Sequence, residues 1–507
     1  MERENVKENM REDLKENTEE SIERRTEGDR KENGEEDTGR NGTGDSGEGI
    51  GGNTKEAAAG TGKKNKMETM PVPKLVITVS LPLMISLLVQ SLYNIVDGIY
   101  VARISENALA ATSLAYPIQL LMVAVSVGTG VGINSHISRK IGAKKFEEVD
   151  LAATTGLILS LLSSVFFMIV GFLFTGSFFG LYTTDRELIS LGTKYLQICT
   201  TFSQGIFIAT MGERILQSTG NTLHSMIAQV AGAVVNVVLD PILIFGMLGL
   251  PKMGIAGAAI ATVIGQWAAA ALSILLVLKR GEVHFIFKKF RWDGSIVKDI
   301  YKVGCPSMFV QAMGSVMMMG VNNVLLGFSA TAVSFFGIYY KLQNFAFMPV
   351  SGLAQGLIPI VGYNYGAKHG KRIMESVKVA MIMGAVIMAV ATILFLVIPK
   401  PLLLMYSATD AMLEMGIPGL RILSAAFIPT AVVLVIGYMF TGLGDGMVNM
   451  ISTIFRMILP IPIVYVLAKL LTLNTVWHAF WITSVIAMIY CIIVLRSVYQ
   501  KKIRQIL

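Results

Sequence analysis

The sequence ISRKIGAKK, residues 137–145, is echoed by GYNYGAKHGKR, residues 362–372. Each stretch contains the tripeptide GAK, and the two copies lie 224 residues apart. At the same offset, several other proline, serine, tyrosine, glutamine and glycine residues coincide without a gap. Because composition alone does not align these residue types at one distance, we interpret the chain as two copies of one unit. The coinciding pairs are Pro82 and Pro306, Ser91 and Ser315, Tyr116 and Tyr340, Gln119 and Gln343, Gly128 and Gly352, and Gly220 and Gly444.

The chain divides into a charged amino-terminal segment and an apolar body. Residues 1–69 contain 19 of the 35 acidic residues of the 507-residue chain, interspersed with Gly, Asn, Ser and Thr. Such a segment has almost nothing to bury, so we predict that residues 1–70 form a disordered tail. The mean hydropathy of the whole chain is still +0.59, and the body is apolar, basic and poor in acids. These properties indicate a polytopic membrane protein.

Apolar runs of about 20 residues, the length that crosses a bilayer as a helix, recur throughout the body. Twelve such runs predict an all-α fold with six transmembrane helices in each copy of the repeat. Since six is even, both halves keep the same orientation and are related by a pseudo-two-fold axis along the membrane normal, with a cavity between them. The predicted spans are residues 75–101, 108–137, 151–173, 185–211, 224–248, 254–278, 296–327, 331–361, 374–397, 411–439, 447–469 and 475–497.

Basic residues are concentrated in the loops on one side of this arrangement, which places that side in the cytoplasm together with both termini. The basic loop residues are Arg139, Lys140, Lys144, Lys145, Lys279, Arg280, Lys288, Lys289, Arg291, Lys368, Lys371 and Arg372. The predicted organisation is a cytoplasmic tail (1–70), an amino-terminal six-helix lobe (71–280), a basic cytoplasmic linker (281–295), a carboxy-terminal six-helix lobe (296–498) and a basic cytoplasmic carboxy terminus (499–507).

The sequence gives little support to an enzyme. Cys199, Cys305 and Cys491 are scattered through apolar segments, and the five histidines are scattered as well. No HExxH, CxxC or Ser-His-Asp arrangement can be argued from their positions. We therefore expect no catalytic site and no cofactor.

The stretch VVNVVLDPILIF, residues 234–245, places an amide and a carboxylate inside an apolar span. Asn236 and Asp240 are four residues apart and so lie on one helix face. An ionisable group within a span costs several kcal/mol on most scales, and it usually is functional or faces a cavity or a partner. The alternative is a structural role, in which Asp240 satisfies backbone groups that Pro241 loosens.

The first span carries a second acid within a polar stripe. Gln90, Tyr93 and Asp97 occur at helical spacing on one face, which is better explained by a cavity than by lipid. The alternative is that Asp97 faces water at the membrane boundary. Because the first and fifth spans run in the same direction and carry their acids in their outer portions, we predict that Asp97 and Asp240 meet at similar depth. The corresponding positions of the second half are Val321 and Val464, so this acidic site is one-sided.

A third acid, Glu213, lies near the inner end of the fourth predicted span. Arg214 follows it directly. We interpret the two residues as an ion pair or as interfacial residues.

These motifs together resemble those of the multidrug and toxic compound extrusion (MATE) transporters, and the first span resembles the prokaryotic DinF-like and MepA-like branch. The resemblance covers about residues 72–500 and adds the two-lobed fold of that family to the predicted repeat. The stretches that carry it are SLYNIVDGIYVARISENALAATSLAYP (Ser91–Pro117), the two GAK segments, QSTGNTLHSMIAQ (Gln217–Gln229), VNVVLDPILIF (Val235–Phe245) and GIAGAAIATVIGQW (Gly254–Trp267).

The resemblance implies drug efflux in exchange for Na⁺ or H⁺. The polar network of the family's amino-terminal lobe falls here on Gln90, Tyr93, Asp97, Asn236, Asp240 and Thr262, and a family tyrosine of the fourth span falls on Tyr195. Of these, we assign Asp97, Asn236, Asp240 and Thr262 to ion or proton coupling, since their hard oxygen atoms suit Na⁺. We assign Gln90, Tyr93 and Tyr195 to the substrate cavity. In another branch an acid follows the proline of the seventh span, but here Gly314 stands near that place.

The expected partners are amphipathic, often cationic drugs and the lipid bilayer, with no nucleic acid. The expected form is a monomer in the plasma membrane. Two alternatives stay open. A lipid-linked oligosaccharide flippase of the same superfamily would need cationic residues in the cavity, for which Lys341 and Arg456 are candidates. A non-transport receptor or enzyme needs neither the repeat nor the buried acids.

Overall fold

The computed structural model describes residues 65–471, 473–500 and 504–506. Within these residues every regular element is a helix. Short 3₁₀ turns lie at Phe287–Lys289, Leu473–Trp477 and Arg504–Ile506. The helices are α1 (Lys66–Thr69), α2 (Val72–Ala102), α3 (Glu106–Gly142), α4 (Phe146–Gly180), α5 (Arg186–Thr201), α6 (Gln204–Ser218), α7 (Thr222–Phe245), α8 (Ile255–Arg280), α9 (Gly294–Leu326), α10 (Ala330–Gly366), α11 (Gly370–Val397), α12 (Pro399–Leu404), α13 (Asp410–Ser424), α14 (Phe427–Gly442), α15 (Gly446–Met457), α16 (Pro460–Leu470) and α17 (His478–Val498).

The prediction of an all-α polytopic membrane protein is confirmed, with one difference in the number of spans. Among the described residues, ten helical segments are long and apolar enough to cross a membrane. The pair α13 and α14, bent by 43°, makes an eleventh if it is counted as one span. The predicted fourth span instead forms α5 and α6, of 16 and 15 residues, and does not pass this test. The reason is a helix break at residues 202–203 together with the charged and amide side chains of α6.

The backbone repeats with the same offset of 224 residues as the sequence. Helices α3 and α10 both contain 37 residues, and each begins at a serine cap. The Ser105 hydroxyl accepts a hydrogen bond from the main-chain nitrogen of Ala108, and Ser329 does the same for Ala332. Both helices are followed by a GAK lysine in the left-handed region. The repeat therefore extends to helix starts and ends. The two lysines and two later glycines have matching φ values of 58° at Lys144, 59° at Lys368, 82° at Gly220 and 88° at Gly444.

The two halves pack against each other through reciprocal glycine contacts. A Cβ atom on Gly142 would overlap the carbonyl oxygen of Tyr363, and one on Gly366 would overlap the carbonyl oxygen of Arg139. These two contacts exchange under the offset of 224, as a pseudo-two-fold axis requires. The same exchange relates the contact of Gly128 with Met308 to that of Gly352 with Met84. We call the end of the bundle that carries Gly142, Gly366 and the basic loops the basic end.

Polar contacts reinforce the packing at the basic end. Asp299 of α9 lies 3.0 Å from His136 Nδ1 and 3.2 Å from Arg139 Nη2, both on α3. The Ser135 hydroxyl donates a hydrogen bond of 2.6 Å to the carbonyl oxygen of Thr441. Since α3 belongs to the first half and the other partners belong to the second, these bonds join the two halves directly.

The segments that flank the lobes are more ordered than the sequence suggests. The predicted tail lies outside the described residues up to residue 64, but residues 65–70 are helical and packed, with Met67 fully buried. Arg372 donates hydrogen bonds of 3.1 and 2.7 Å to the carbonyl oxygens of Met67 and Met70. The basic linker is also anchored, because the main-chain nitrogen of His284 donates to the Asp150 carboxylate at 2.8 Å. Residues 501–503 and 507 of the predicted carboxy terminus lie outside the described residues.

The glycine contacts generate a stability prediction. We expect Gly142→Val and Gly366→Val each to destabilise the protein by about 1–3 kcal/mol or more, because the added side chain meets a backbone carbonyl that has no space to move. The measurement is the Tm of the purified protein in detergent. Gly176→Val is the control, since a Cβ atom at Gly176 meets nothing within 4 Å. Equal Tm values for all three variants would contradict this account of the interface.

Candidate functional site

The first half encloses a cavity of about 1080 Å³, a volume that includes the part open to solvent. Helices α2, α3, α6, α7 and α8 form its walls, and Gln355 of α10 is its one lining residue from the second half. Apolar residues such as Leu83, Leu87 and Ile206 form part of the wall. The polar lining consists of Ser86, Gln90, Tyr93, Thr210, Glu213, Arg214, Gln217, Gln229, Asn236, Thr262, Gln266 and Gln355.

A close crossing of α7 and α8 positions two of the predicted site residues. A Cβ atom on Gly232 or on Gly265 would lie 2.7 Å from the carbonyl oxygen of the other glycine, so only glycine permits this approach. One turn along each helix, Asn236 Nδ2 donates a hydrogen bond of 3.3 Å to Thr262 Oγ1. The structure therefore brings these two residues together at the cavity wall.

The predicted cavity residues differ in their placement. Gln90 and Tyr93 line the cavity, as the polar stripe of the first span predicts. Tyr195 is not among the lining residues and is only 5% exposed. It accepts a hydrogen bond of 3.2 Å from Gln119 Nε2. We therefore withdraw Tyr195 from the cavity wall, because its hydroxyl is held inside the helix packing of the first half.

The two acids lie beyond the cavity lining, further from the basic end. Asp240 is fully buried, and no described residue donates a hydrogen bond to either of its carboxylate oxygens. Asp97 Oδ1 and Asn236 Oδ1 are likewise buried and without a partner among the described residues. Four buried acceptor oxygens therefore lack a donor, although buried polar groups in proteins are nearly always hydrogen-bonded.

Electrostatic interactions connect these acids into one cluster. Asp97 interacts with Asp240, and both interact with Tyr93 at the cavity wall. Tyr195 and Cys199 interact with Asp97 as well, which places Tyr195 in this cluster rather than at the cavity. The predicted meeting of α2 and α7 is thus a feature of the structure.

The second half has no acidic cluster at the corresponding place. Val321 and Val464, which take the places of Asp97 and Asp240, are both fully buried. They belong to one apolar cluster together with Phe335 and Trp477. The repeat duplicates the helix packing, but the chemistry of this position occurs once.

Sequence reasoning did not find the polar floor of the cavity. The interpretation of Glu213 and Arg214 as an ion pair is wrong, since the described residues contain no ion pair between them and both side chains line the cavity. Arg214 Nη1 instead lies 3.0 Å from Gln217 Oε1 and 3.3 Å from Gln355 Oε1, donating to both. Neighbouring residues on a helix point in different directions, which explains why adjacency in sequence did not produce a pair.

The chemistry open to this arrangement is the binding of a proton or a small hard cation. No group of three or more His, Cys, Asp or Glu side chains that could hold a metal ion occurs among the described residues. Two carboxylates, an amide oxygen and a hydroxyl form a donor set of the kind that binds Na⁺ weakly and reversibly. Each acid also has the alternative of binding a proton, because burial disfavours a lone charge.

Comparison with known proteins agrees with the repeat. The family model described as MatE matches the chain twice, at residues 82–242 and 306–466. The two matches are offset by 224 residues, and together they cover more than half of the chain.

Relatives and solved structures match over most of their length. The multidrug export protein MepA of Staphylococcus aureus strain N315 is 25% identical over 434 residues, which cover 84% of this chain and 94% of that protein. The outward-facing structure of a multidrug resistance MATE family transporter of the MOP superfamily has a TM-score of 0.81 and 28% identity, over 88% of this chain and 99% of that one. A MOP superfamily transporter of Pyrococcus furiosus has a TM-score of 0.80 and 27% identity, with the same coverage. The chain therefore belongs to the MATE family of multidrug efflux transporters, and it is a membrane transporter and not an enzyme.

Proposed function

We propose that this chain exports amphipathic, often cationic compounds in exchange for Na⁺ or H⁺ by alternating access. The observation that carries the proposal is the group of four buried oxygens of Asp97, Asn236 and Asp240 that receive no hydrogen bond from the described residues. They lie beside a cavity large enough for a drug-sized molecule. The proposal assigns ion coupling to Asp97, Asn236, Asp240 and Thr262, and substrate contact to Gln90 and Tyr93.

Coupling requires that the ion favours one arrangement of the helices over another. A cation or proton bound between α2 and α7 offsets the repulsion between Asp97 and Asp240 and draws the two helices together. Without it, the two carboxylates repel each other across the same contact. The bound and free states therefore favour different positions of α2 relative to α7.

Two prolines give these helices local freedom to bend. Pro82 lies inside α2 and Pro241 inside α7, directly after Asp240. A proline removes one hydrogen bond of the helix and weakens it at that turn. We propose that ion binding changes the bend of α2, which alters the cavity wall at Gln90 and Tyr93 and releases the substrate.

The cavity also has a feature that suits cationic substrates. Glu213 lines it and makes neither an ion pair nor a hydrogen bond with any other described residue. A carboxylate exposed to a partly apolar cavity attracts a positively charged ligand more strongly than one in bulk water. The apolar wall and methionine-rich neighbouring helices accommodate flat and varied molecules.

A flippase for a lipid-linked oligosaccharide is the second candidate, and the cavity arginines favour it. Arg214 and Arg456 each line a cavity and offer positive charge to a phosphate. Lys341, the other cation considered from the sequence, is exposed and lies over the ring of Tyr406 at 5.7 Å. The solved Pyrococcus furiosus transporter is described as having a binding pocket of reverse polarity and a different function. Export of a cationic dye separates the two candidates.

The proposed location is the plasma membrane, with both termini in the cytoplasm and a monomer as the working unit. The support for this orientation is the concentration of lysine and arginine at the basic end. In this orientation the lobes are packed together on the cytoplasmic side. The proposed lobes are residues 71–280 and 296–498, joined by the linker at 281–295.

The coupling role of the acids predicts a loss of export. Asp97→Asn and Asp240→Asn should each reduce ethidium efflux from a pump-deficient host by about tenfold or more, which is within the usual range of coupling free energies. The measurement is the rate of fluorescence loss from preloaded cells, at equal amounts of protein in the membrane. Glu106→Gln, an exposed acid at the start of α3, is the matched control. Efflux at the wild-type rate in both aspartate variants would contradict the site assignment.

The choice of ion is tested in vesicles that contain the purified protein. We expect that either a Na⁺ gradient or a pH gradient, imposed separately, drives ethidium transport, because the oxygen set binds one monovalent cation at a time. The same gradient should have no effect on Asp240→Asn. A gradient response that persists in Asp240→Asn would place coupling elsewhere in the chain.

The cavity carboxylate predicts an effect on affinity. Glu213→Gln should raise the Kd for ethidium about five- to tenfold, since a hydrogen bond to a charged group contributes about 1.5–3 kcal/mol. Fluorescence titration of the purified protein measures this change. Glu414→Gln, an exposed acid of the second half, should leave the Kd unchanged. An unaltered Kd in Glu213→Gln would exclude a direct contact with the dye.

A further inference from the structure

The second half contains a smaller cavity of about 420 Å³. Met317 of α9, Phe347 of α10 and Phe480 of α17 supply apolar walls. The polar lining consists of Tyr339, Tyr340, Gln343, Asn344, Arg456 and Ser484. We call it the second cavity and the cavity of the first half the first cavity.

The second cavity is the repeat counterpart of the first. Five of its lining residues correspond, at the offset of 224, to residues that line the first cavity. The two cavities are therefore the same position in two copies of one fold, with different side chains. The corresponding pairs are Tyr93 and Met317, Val123 and Phe347, Ile206 and Thr430, Gly232 and Arg456, and Ala233 and Met457.

The important difference between the cavities is one of charge. The first cavity has Gly232 where the second has Arg456, and the acids beside the first are replaced by valines beside the second. Arg456 makes no hydrogen bond or ion pair with any other described residue, and its Nε atom is buried. A guanidinium group stays charged in proteins, and a buried charge without a partner is costly. A site of this kind favours an anionic group.

The surroundings of Arg456 provide neutral donors and no carboxylate. Its electrostatic partners are the hydroxyl groups of Tyr339, Tyr340 and Tyr438. Tyr339 is fully buried, lines the second cavity and has a hydroxyl without a hydrogen-bond partner among the described residues. A guanidinium and a phenol hydroxyl together form a donor set that suits a carboxylate.

The two cavities are neighbours in the molecule. Tyr438 interacts electrostatically with Arg456 of the second cavity and with Arg214 on the floor of the first. A substrate that carries two charged groups can therefore meet Glu213 on one side and Arg456 on the other.

We propose that Arg456 and Tyr339 bind a carboxylate of the substrate, so that zwitterionic amphipathic compounds are a substrate class of this transporter. This inference rests on the proposed function, and it adds the anionic group that such substrates carry. The positively charged end of the same molecule lies toward the carboxylate of Glu213.

The test compares one compound in two charge states. A fluoroquinolone that carries a basic amine and a carboxylate is measured beside its methyl ester, which keeps the amine and loses the negative charge. We expect the wild-type protein in nanodiscs to bind the acid about tenfold more tightly than the ester, as one charge-assisted pair provides. In Arg456→Gln this ratio should fall to about one, in Tyr339→Phe it should fall partway, and in Arg456→Lys it should be largely kept.

Controls separate the inference from the function on which it rests. Arg421→Gln, which changes an exposed arginine of the same half, should keep the wild-type ratio. A ratio near one in the wild type, or an unchanged ratio in Arg456→Gln, would overturn the inference while ethidium export upholds the proposed function. Loss of the preference for the acid when phosphatidylglycerol is added to the nanodiscs would assign Arg456 to a lipid phosphate and also overturn it. Binding of neither compound, together with no ethidium export, would overturn both.

Discussion

The structure depends on the crossing of α3 and α10 at Gly142 and Gly366, where the two halves come into backbone contact. Each glycine lies against a main-chain carbonyl of the other helix, and the two contacts exchange under the repeat. Asp299 and the serine of α3 add polar bonds at the same end. Because the lobes are held there, relative motion between them amounts to rotation about the basic end, and the cavities lie along the path of that motion.

On this symmetric scaffold the chemistry is asymmetric. The first half has two buried acids and the second has valines in their places, within an apolar cluster. The second half has an arginine where the first has a glycine. One helix packing thus supports a cation-binding side and a side suited to an anionic group. Duplication preserved the backbone, while single substitutions at corresponding positions gave each lobe a separate role in the proposed cycle.

Much of the fold follows from the sequence because glycine, proline and the GAK lysines have backbone requirements that recur at a fixed distance. The meeting of Asp97 and Asp240 also follows, since helix direction and depth can be counted. The position of Tyr195 and the cavity floor at Glu213 and Arg214 could not be predicted in this way. They depend on the rotation of each helix about its axis and on the break between α5 and α6, which hydropathy does not report.

The central claim is that a cation or proton at Asp97 and Asp240 changes the arrangement of the lobes. The most direct measurement is a spin-label distance between cysteines placed at exposed positions on different lobes, Leu181 and Met405, in a Cys305→Ser background. The account predicts that adding Na⁺ or lowering the pH shifts this distance in the otherwise unaltered protein, and that Asp240→Asn abolishes the shift. A shift of equal size in Asp240→Asn would contradict it.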